Sequence, residues 1–211
     1  MSSYPKNIGI IMDGNRRWAS KVGVPYIEGH RKGAKVLKKI ISFAGRNNIS
    51  ELTVFAFSTE NWKRSDLEVK TLINLFEWFI KAEIVDINSN NVLFRSIGDK
   101  EKFPKSLRNL LLHAETITKK NEGLRLNIAL NYGGKADIIY AAKNIAHAAV
   151  HNRININNLD ERLFSNYLYS QNISDFDLII RTSGEQRLSN FMLWQSSYSE
   201  VFLIPPAKLK A

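Results

Sequence analysis

The segment Met12-Asp13-Gly14-Asn15-Arg16-Arg17-Trp18-Ala19 gathers a carboxylate, a glycine, an amide and two guanidiniums. It directly follows the apolar run Ile8-Gly9-Ile10-Ile11, which is short enough for a buried strand of a parallel sheet. In an open α/β sheet, ligands bind at the carboxyl ends of strands. These residue types suit an anionic ligand held with a divalent cation. Asp13 can bind Mg²⁺, Gly14 lets the backbone approach closely, and the arginines can fork onto phosphate oxygens. A solvated turn with a capping aspartate would use the same residues, so this octet alone decides nothing.

Two further polar clusters follow apolar runs. Glu51 to Phe57 reads as a second buried strand and ends in Ser58-Thr59-Glu60-Asn61-Trp62-Lys63-Arg64. Phe176 to Ile180 reads as another and ends in Arg181-Thr182-Ser183-Gly184-Glu185-Gln186-Arg187-Leu188-Ser189-Asn190. Three such clusters on one sheet edge predict a single cleft. Asp13, Glu60, Asn61 and Glu200 among Arg16, Arg17, Arg64, Arg181 and Arg187 are what a site needs to hold a diphosphate and stabilise it as it leaves.

Other chemistries are excluded by what the chain lacks. With no cysteine there is no disulfide, thiolate metal site or thiol nucleophile. Neither G-x-G-x-x-G nor G-x-x-x-x-G-K-[ST] occurs, and Ser183 stands outside any G-x-S-x-G elbow. His30, His113, His147 and His151 show no metal-ligand spacing. The last three fall in helical stretches that suit a surface role.

The intervening segments supply the scaffold. Val22 to Gly29 reads as a loop broken by Gly23, Pro25 and Gly29. A helix is predicted from His30 to about Asn47, with a stripe of Ala34, Leu37, Ile41 and Ala44. A longer one from Asp66 to about Asn88 carries two apolar stripes, one through Val69, Leu72, Ile73 and Phe76, the other through Leu75, Trp78, Phe79 and Ala82. A helix with two apolar faces needs two apolar neighbours: deep core, a subunit contact or the wall of a lipid-holding tunnel. Strands at Val92–Ile97 and Leu124–Leu130, and a short piece at Val201–Ile204, complete the set. Helices are predicted from Pro104 to Lys119 and over 135–151 and 160–169. This alternation predicts an α/β domain spanning residues 1–211, with a largely parallel sheet of about six strands flanked by helices.

Charge is concentrated at the start. Of a net +10, a balance of +8 lies in residues 1–50, where ten Lys or Arg stand against Asp13 and Glu28. Nucleic acid, an anionic membrane surface and a diphosphate substrate would each satisfy it. The chain has no apolar run long enough to span a bilayer and no evident signal peptide, so a cytoplasmic location is expected.

The ordered segments MDGNRRWA, GHRKGA, FSTENWKR, NIALNYGG, RTSGEQRLSNFMLWQ and YSE resemble the cis-prenyltransferase family, from about residue 8 to 204. The D-D-x-x-D of trans-prenyltransferases is absent, as that resemblance requires. It implies condensation of isopentenyl diphosphate onto farnesyl diphosphate with cis double bonds. The implied product is a long polyprenyl diphosphate of the undecaprenyl class, a lipid carrier for cell-wall glycan, delivered to the membrane. It further implies Mg²⁺ as cofactor, a homodimer, and a peripheral place at the inner membrane face.

Carried over by position, the resemblance makes Asp13 the essential Mg²⁺-linked aspartate beside the allylic diphosphate, and Glu200 a second Mg²⁺-associated carboxylate. Gly14, Asn15, Arg16, Arg17 and Trp18 cradle that diphosphate, with His30 close by. Ser58, Thr59 and Glu60 shape the substrate site. Asn61 matches the proposed proton acceptor, beside Trp62 and Arg64. Arg181, Arg187, Leu188 and Ser189 match the isopentenyl diphosphate site. The 66–88 helix becomes the tunnel wall and the expected dimer contact, with Ala56, Val92 and Leu124 lining the tunnel.

Two positions depart from the pattern. Tyr26 stands where the family usually has an arginine on the allylic diphosphate. The chain also ends at 205–211, where the family continues with a Trp-Pro-Asp-Phe-like segment and a helix; weaker isopentenyl diphosphate binding and a weaker dimer are expected from that. A catalytically silent subunit of the same fold and a basic nucleic-acid-binding protein are the alternatives. The four intact positions Asp13, Asn61, Arg181 and Glu200 count against the first. Carboxylates among the arginines, which repel phosphate without a metal, count against the second.

Overall fold

Alternate residues of β1 (Asn7–Ile11) go to opposite faces of the sheet, as the two-residue period of a strand dictates. Ile8 and Ile10 join one core and Ile11 the other. The structure is a computed structural model and describes residues 4–205. The expectations for the chain's end fall on residues 206–211, outside the described residues.

Six strands lie in the order β3-β4-β2-β1-β5-β6, and every pairing is parallel. They are β1, β2 (Glu51–Ser58), β3 (Leu93–Ile97), β4 (Arg125–Tyr132), β5 (Leu178–Arg181) and β6 (Glu200–Leu203). The larger core packs α2 (Tyr26–Arg46), α3 (Asp66–Ser89) and α4 (Lys105–Thr118) on one face through Leu37, Ile41, Leu72, Ile84, Leu107 and Leu111. The smaller core on the other face gathers Ala129, Tyr132, Phe176, Ile179, Phe191 and Met192. The α/β sheet of six strands flanked by helices is thus as expected.

Helix α2 begins at Tyr26, four residues before the predicted start, and α1 (Asn15–Lys21) occupies the rest of the opening motif. Gly29 is the reason the prediction erred. It breaks nothing; a Cβ there would stand 2.1 Å from the Asn15 carbonyl oxygen, so glycine lets α1 lie against α2. Gly33, one turn on, faces the Asn15 side chain in the same way.

The predicted helix over 160–169 shrinks to α6 (Glu161–Ser165). Beyond it the chain is captured by Asp137 of α5 (Gly134–Val150), which accepts from Tyr169 N–H at 2.6 Å and Ser170 Oγ at 2.5 Å. Likewise Phe176 gives its N–H to the Gln195 carbonyl, so β5 starts only at Leu178. Burial holds the Asp137 carboxyl above the usual range despite these donors. Asp137→Ala would strand them in the interior and is expected to cost about 3 kcal/mol, read from the urea midpoint.

Candidate active site

The chain leaves β1 at Ile11, which lies between Phe55 of β2 and Arg181 of β5. That neighbourhood brings the three polar clusters to one place. Asp13 is fixed first through its backbone: its N–H donates to Thr182 Oγ1 at 3.0 Å, and that hydroxyl donates to the Asp13 carbonyl at 2.6 Å. Gly14 follows with φ +96°, a left-handed turn that glycine adopts without strain. Its N–H donates to Asp13 Oδ1 at 2.6 Å.

Asp13 Oδ2 accepts from Arg181 at 2.9 Å and from Arg17 at 3.1 Å. Burial opposes ionisation of this carboxyl, but the hydrogen bonds from Arg181, Arg17 and Gly14 outweigh it and hold the pKa below the usual carboxylate range. Arg181 is almost fully buried. It also donates to Ser189 Oγ at 2.6 Å and to the Arg187 carbonyl, so one guanidinium ties β1 to the 187–189 loop. That loop is strained: Ser189 and Asn190 have φ of +50° and +65°. Asn190 is pinned by donating to Glu60 Oε1 at 3.1 Å and accepting from Lys135 N–H at 2.8 Å.

The second cluster forms a 3₁₀ turn, Thr59–Lys63, at the end of β2. Asn61 Oδ1 accepts from Ser58 N–H at 2.9 Å in a capping box, which leaves the Asn61 Nδ2 donors for the cleft. Arg64 pairs with Glu68 at 2.6 Å, and Arg16 reaches the same carboxylate at 3.5 Å. Glu68 is a member that sequence reasoning missed, although Arg64 and Glu68 stand one helical turn apart, the spacing of a helix ion pair. Glu185, which accepts from Arg17 at 3.1 Å and Arg187 at 2.7 Å, and Thr182 were missed as well. His30 is half-buried, with its Nε2 buried and unpartnered; burial, and then Arg64, push its pKa below that of a free imidazole.

A cavity of about 260 Å³ opens at this cluster. Asp13, Asn15, His30, Asn61, Arg64 and Arg181 stand at its polar end, with Ser58 and Ser189 beside them. Its body is apolar, walled by Leu37, Ala56, Leu72, Phe76, Phe79 and Ile128. Beyond Phe79 lies a second cavity of about 460 Å³ towards the amino ends of β3 and β4, where Val92 and Leu124 sit. Phe79 lines both.

Several expected residues lie elsewhere. Trp62 packs on Phe57 and Phe103 and donates to Asn131 Oδ1 at 2.8 Å, so it supports the turn rather than the cavity. Tyr26 donates to Thr71 Oγ1 at 3.3 Å on the flank of α3. Trp18 lines an adjoining groove with Val36, Ile40 and Ile204, which shares Asp13, Asn15 and Gly33 with the cavity. Thr59 lies against Gly133, and Leu188 packs on the smaller core. Arg187 is exposed and paired with Glu185. Glu200 stands apart from the cluster: it faces Leu178, the first residue of β5, whereas Arg181 faces Leu203. Three strand residues of about 3.3 Å each separate those levels, so the Glu200 backbone stands about 10 Å along the sheet from the level of Arg181.

A sequence profile of the family described as putative undecaprenyl diphosphate synthase matches residues 11–207. The chain belongs to the cis-prenyltransferase family. Among this cis-prenyltransferase's relatives, the isoprenyl transferase of Clostridium perfringens is 47% identical over 196 residues, covering 93% of this chain and 78% of the relative. The ditrans,polycis-undecaprenyl-diphosphate synthase ((2E,6E)-farnesyl-diphosphate specific) of Vibrio parahaemolyticus is 43% identical, covering 96% and 81%. The crystal structure of lavandulyl diphosphate synthase from Lavandula x intermedia in complex with dimethylallyl diphosphate aligns with a TM-score of 0.93 at 37% identity, covering 96% and 87%.

Proposed function

We propose that this cis-prenyltransferase elongates farnesyl diphosphate with isopentenyl diphosphate units to a long polyprenyl diphosphate of the undecaprenyl class. The observation that carries this reading is Asp13, gripped by Arg181 and Arg17 at the mouth of an apolar cavity. Relatives named as undecaprenyl diphosphate synthases support it.

Mg²⁺ is part of the proposal, and the donor set fits it. Asp13 is ionised, and a single carboxylate completed by diphosphate oxygens and water is an ordinary Mg²⁺ shell. Among the described residues no group of three His, Cys, Asp or Glu is placed to hold a metal, and in this reading diphosphate oxygens and water complete the shell. Bound there, the ion supplies positive charge against the departing diphosphate.

The chain's own residues do the rest. Arg17, Arg64 and Arg16 lie around the position of an allylic diphosphate, and charge-assisted hydrogen bonds hold its oxygens as the carbon–oxygen bond breaks. Arg181 and Ser189 orient the isopentenyl diphosphate so that its terminal alkene carbon meets the allylic cation. The apolar walls at Leu37, Phe76 and Ile128 exclude water that would quench that cation. The new carbon–carbon bond leaves a proton to be lost. Asn61 is a poor base and its oxygen already accepts from Ser58 N–H, so it donates to substrate oxygen while the departed diphosphate takes the proton.

Incubation with farnesyl diphosphate, labelled isopentenyl diphosphate and Mg²⁺ tests the reading. Labelled polyprenyl product is expected; its absence under conditions that support a relative would favour the silent-subunit alternative. Product length also reports on Phe79, the partition between the two cavities. Phe79→Ala should shift the distribution to longer chains and Phe79→Trp to shorter ones, as resolved by mass spectrometry. An unchanged distribution in both would remove Phe79 from the path of the growing chain.

A further inference from the structure

We infer that the outer cleft between α2 and α3 docks on an anionic lipid bilayer. This cleft, of about 660 Å³, is lined by Lys35, Lys38, Lys39 and Arg46 against one carboxylate, Glu83. Lys38 is committed to Glu83 at 2.6 Å and Asp86 at 2.9 Å. Lys35, Lys39 and Arg46 form no ion pair among the described residues and are exposed. A cluster of unpaired cations is complementary to an anionic surface.

Charge alone would suit any polyanion; the aromatic residues narrow the choice. Phe43 on α2 is 51% exposed and Trp78 on α3 is 48% exposed, and both line this cleft. Aromatic rings beside cations suit the headgroup boundary of a bilayer, where the apolar body is buried and the charges stay in water. Continuity with the interior makes the same case. Phe79 and Ala34 line the inner cavity and this outer cleft at once, so only a thin wall separates the space for the apolar chain from the surface. An apolar product leaving past Phe79 would pass directly into lipid. This last argument rests on the proposed elongation of a polyprenyl chain; the charge and aromatic arguments do not.

The homodimer expected through the 66–88 helix competes for the same face, since a second copy seated on α3 would cover Trp78. The experiment separates the two. The chain is mixed with vesicles of phosphatidylcholine alone, or of phosphatidylcholine with phosphatidylglycerol, at low and high salt. Sedimentation should show binding to the anionic vesicles that salt weakens, with little binding to the neutral ones. Lys35→Gln with Lys39→Gln should lower that partitioning roughly thirtyfold, about fivefold for each charge removed. Phe43→Ser should weaken it at unchanged charge. Tryptophan emission should shift to the blue on binding in the native chain and not in Trp78→Phe. Condensation assayed in detergent with farnesyl diphosphate should be unchanged in the lysine variant. Loss of condensation in the native chain would overturn the proposed function and leave vesicle binding to be judged separately. Equal binding by the native chain and the lysine variant, equal binding to neutral vesicles, or a dimer that shields Trp78 would each overturn the docking surface.

Discussion

Replacing Asp13 by alanine is expected to lower condensation roughly a thousandfold, within the range for losing one preorganised charge contact at a developing anion and compounded by loss of the Mg²⁺ anchor. The carboxylate has two duties that the variant removes together. It would hold the ion against the diphosphate, and it neutralises the nearly buried Arg181 guanidinium at 2.9 Å. The second duty gives a stability effect that catalysis does not require. The folded-state pKa of Asp13 is depressed, so its contribution is fully present above the unfolded carboxyl value. It is lost as the pH falls through the folded value. Native chain and Asp13→Ala should therefore differ in urea midpoint at neutral pH and converge in acid. Asp13→Asn keeps the shape, and still donates or accepts one bond, but cannot anchor the ion; it should be as inactive while losing less stability. Near-normal turnover in either variant would remove Asp13 from the mechanism.

How much of this was visible in the sequence depends on what each residue's role requires. The strands and their order of function were legible because parallel strands buried on both faces are continuous apolar runs, and the polar residues following β1, β2 and β5 fall on one edge. Asp13, Asn61 and Arg181 could be placed together for that reason. Gly29 misled because a glycine that admits a neighbouring helix looks the same in a sequence as one that ends a helix. Trp62 and Tyr26 are neighbours of the site along the chain, yet their rings are turned to the core and to α3, and side-chain direction is set by packing that no local pattern encodes. The level of Glu200 on the sheet was not legible, because its register against β5 follows from the Leu178 and Arg181 pairings rather than from its own surroundings. Glu68 was hidden in the opposite way: it is a buried acid inside an apolar helix, and its two arginines come from different clusters.

Arg181→Ala should have the other large effect, mainly on isopentenyl diphosphate. A KM rise of roughly a hundredfold is expected for losing a charge-assisted, forked contact, corresponding to about 3 kcal/mol. The geometry adds a further consequence. Arg181 bonds Asp13 on one side and Ser189 Oγ and the Arg187 carbonyl on the other, so its removal frees the strained 187–189 segment to relax. Arg181→Lys keeps the charge but has no planar fork, and one ammonium cannot face Asp13 and Ser189 together. It should therefore recover little of the lost affinity, which separates a positioned guanidinium from a general need for positive charge. A double-mutant cycle with Asp13→Asn should show strong coupling between the two positions in turnover, since each holds the other in place. Steady-state kinetics with each substrate varied in turn decides the assignment. If Arg181→Ala raises the KM for farnesyl diphosphate and leaves that for isopentenyl diphosphate unchanged, the two diphosphates occupy the opposite halves of the cleft.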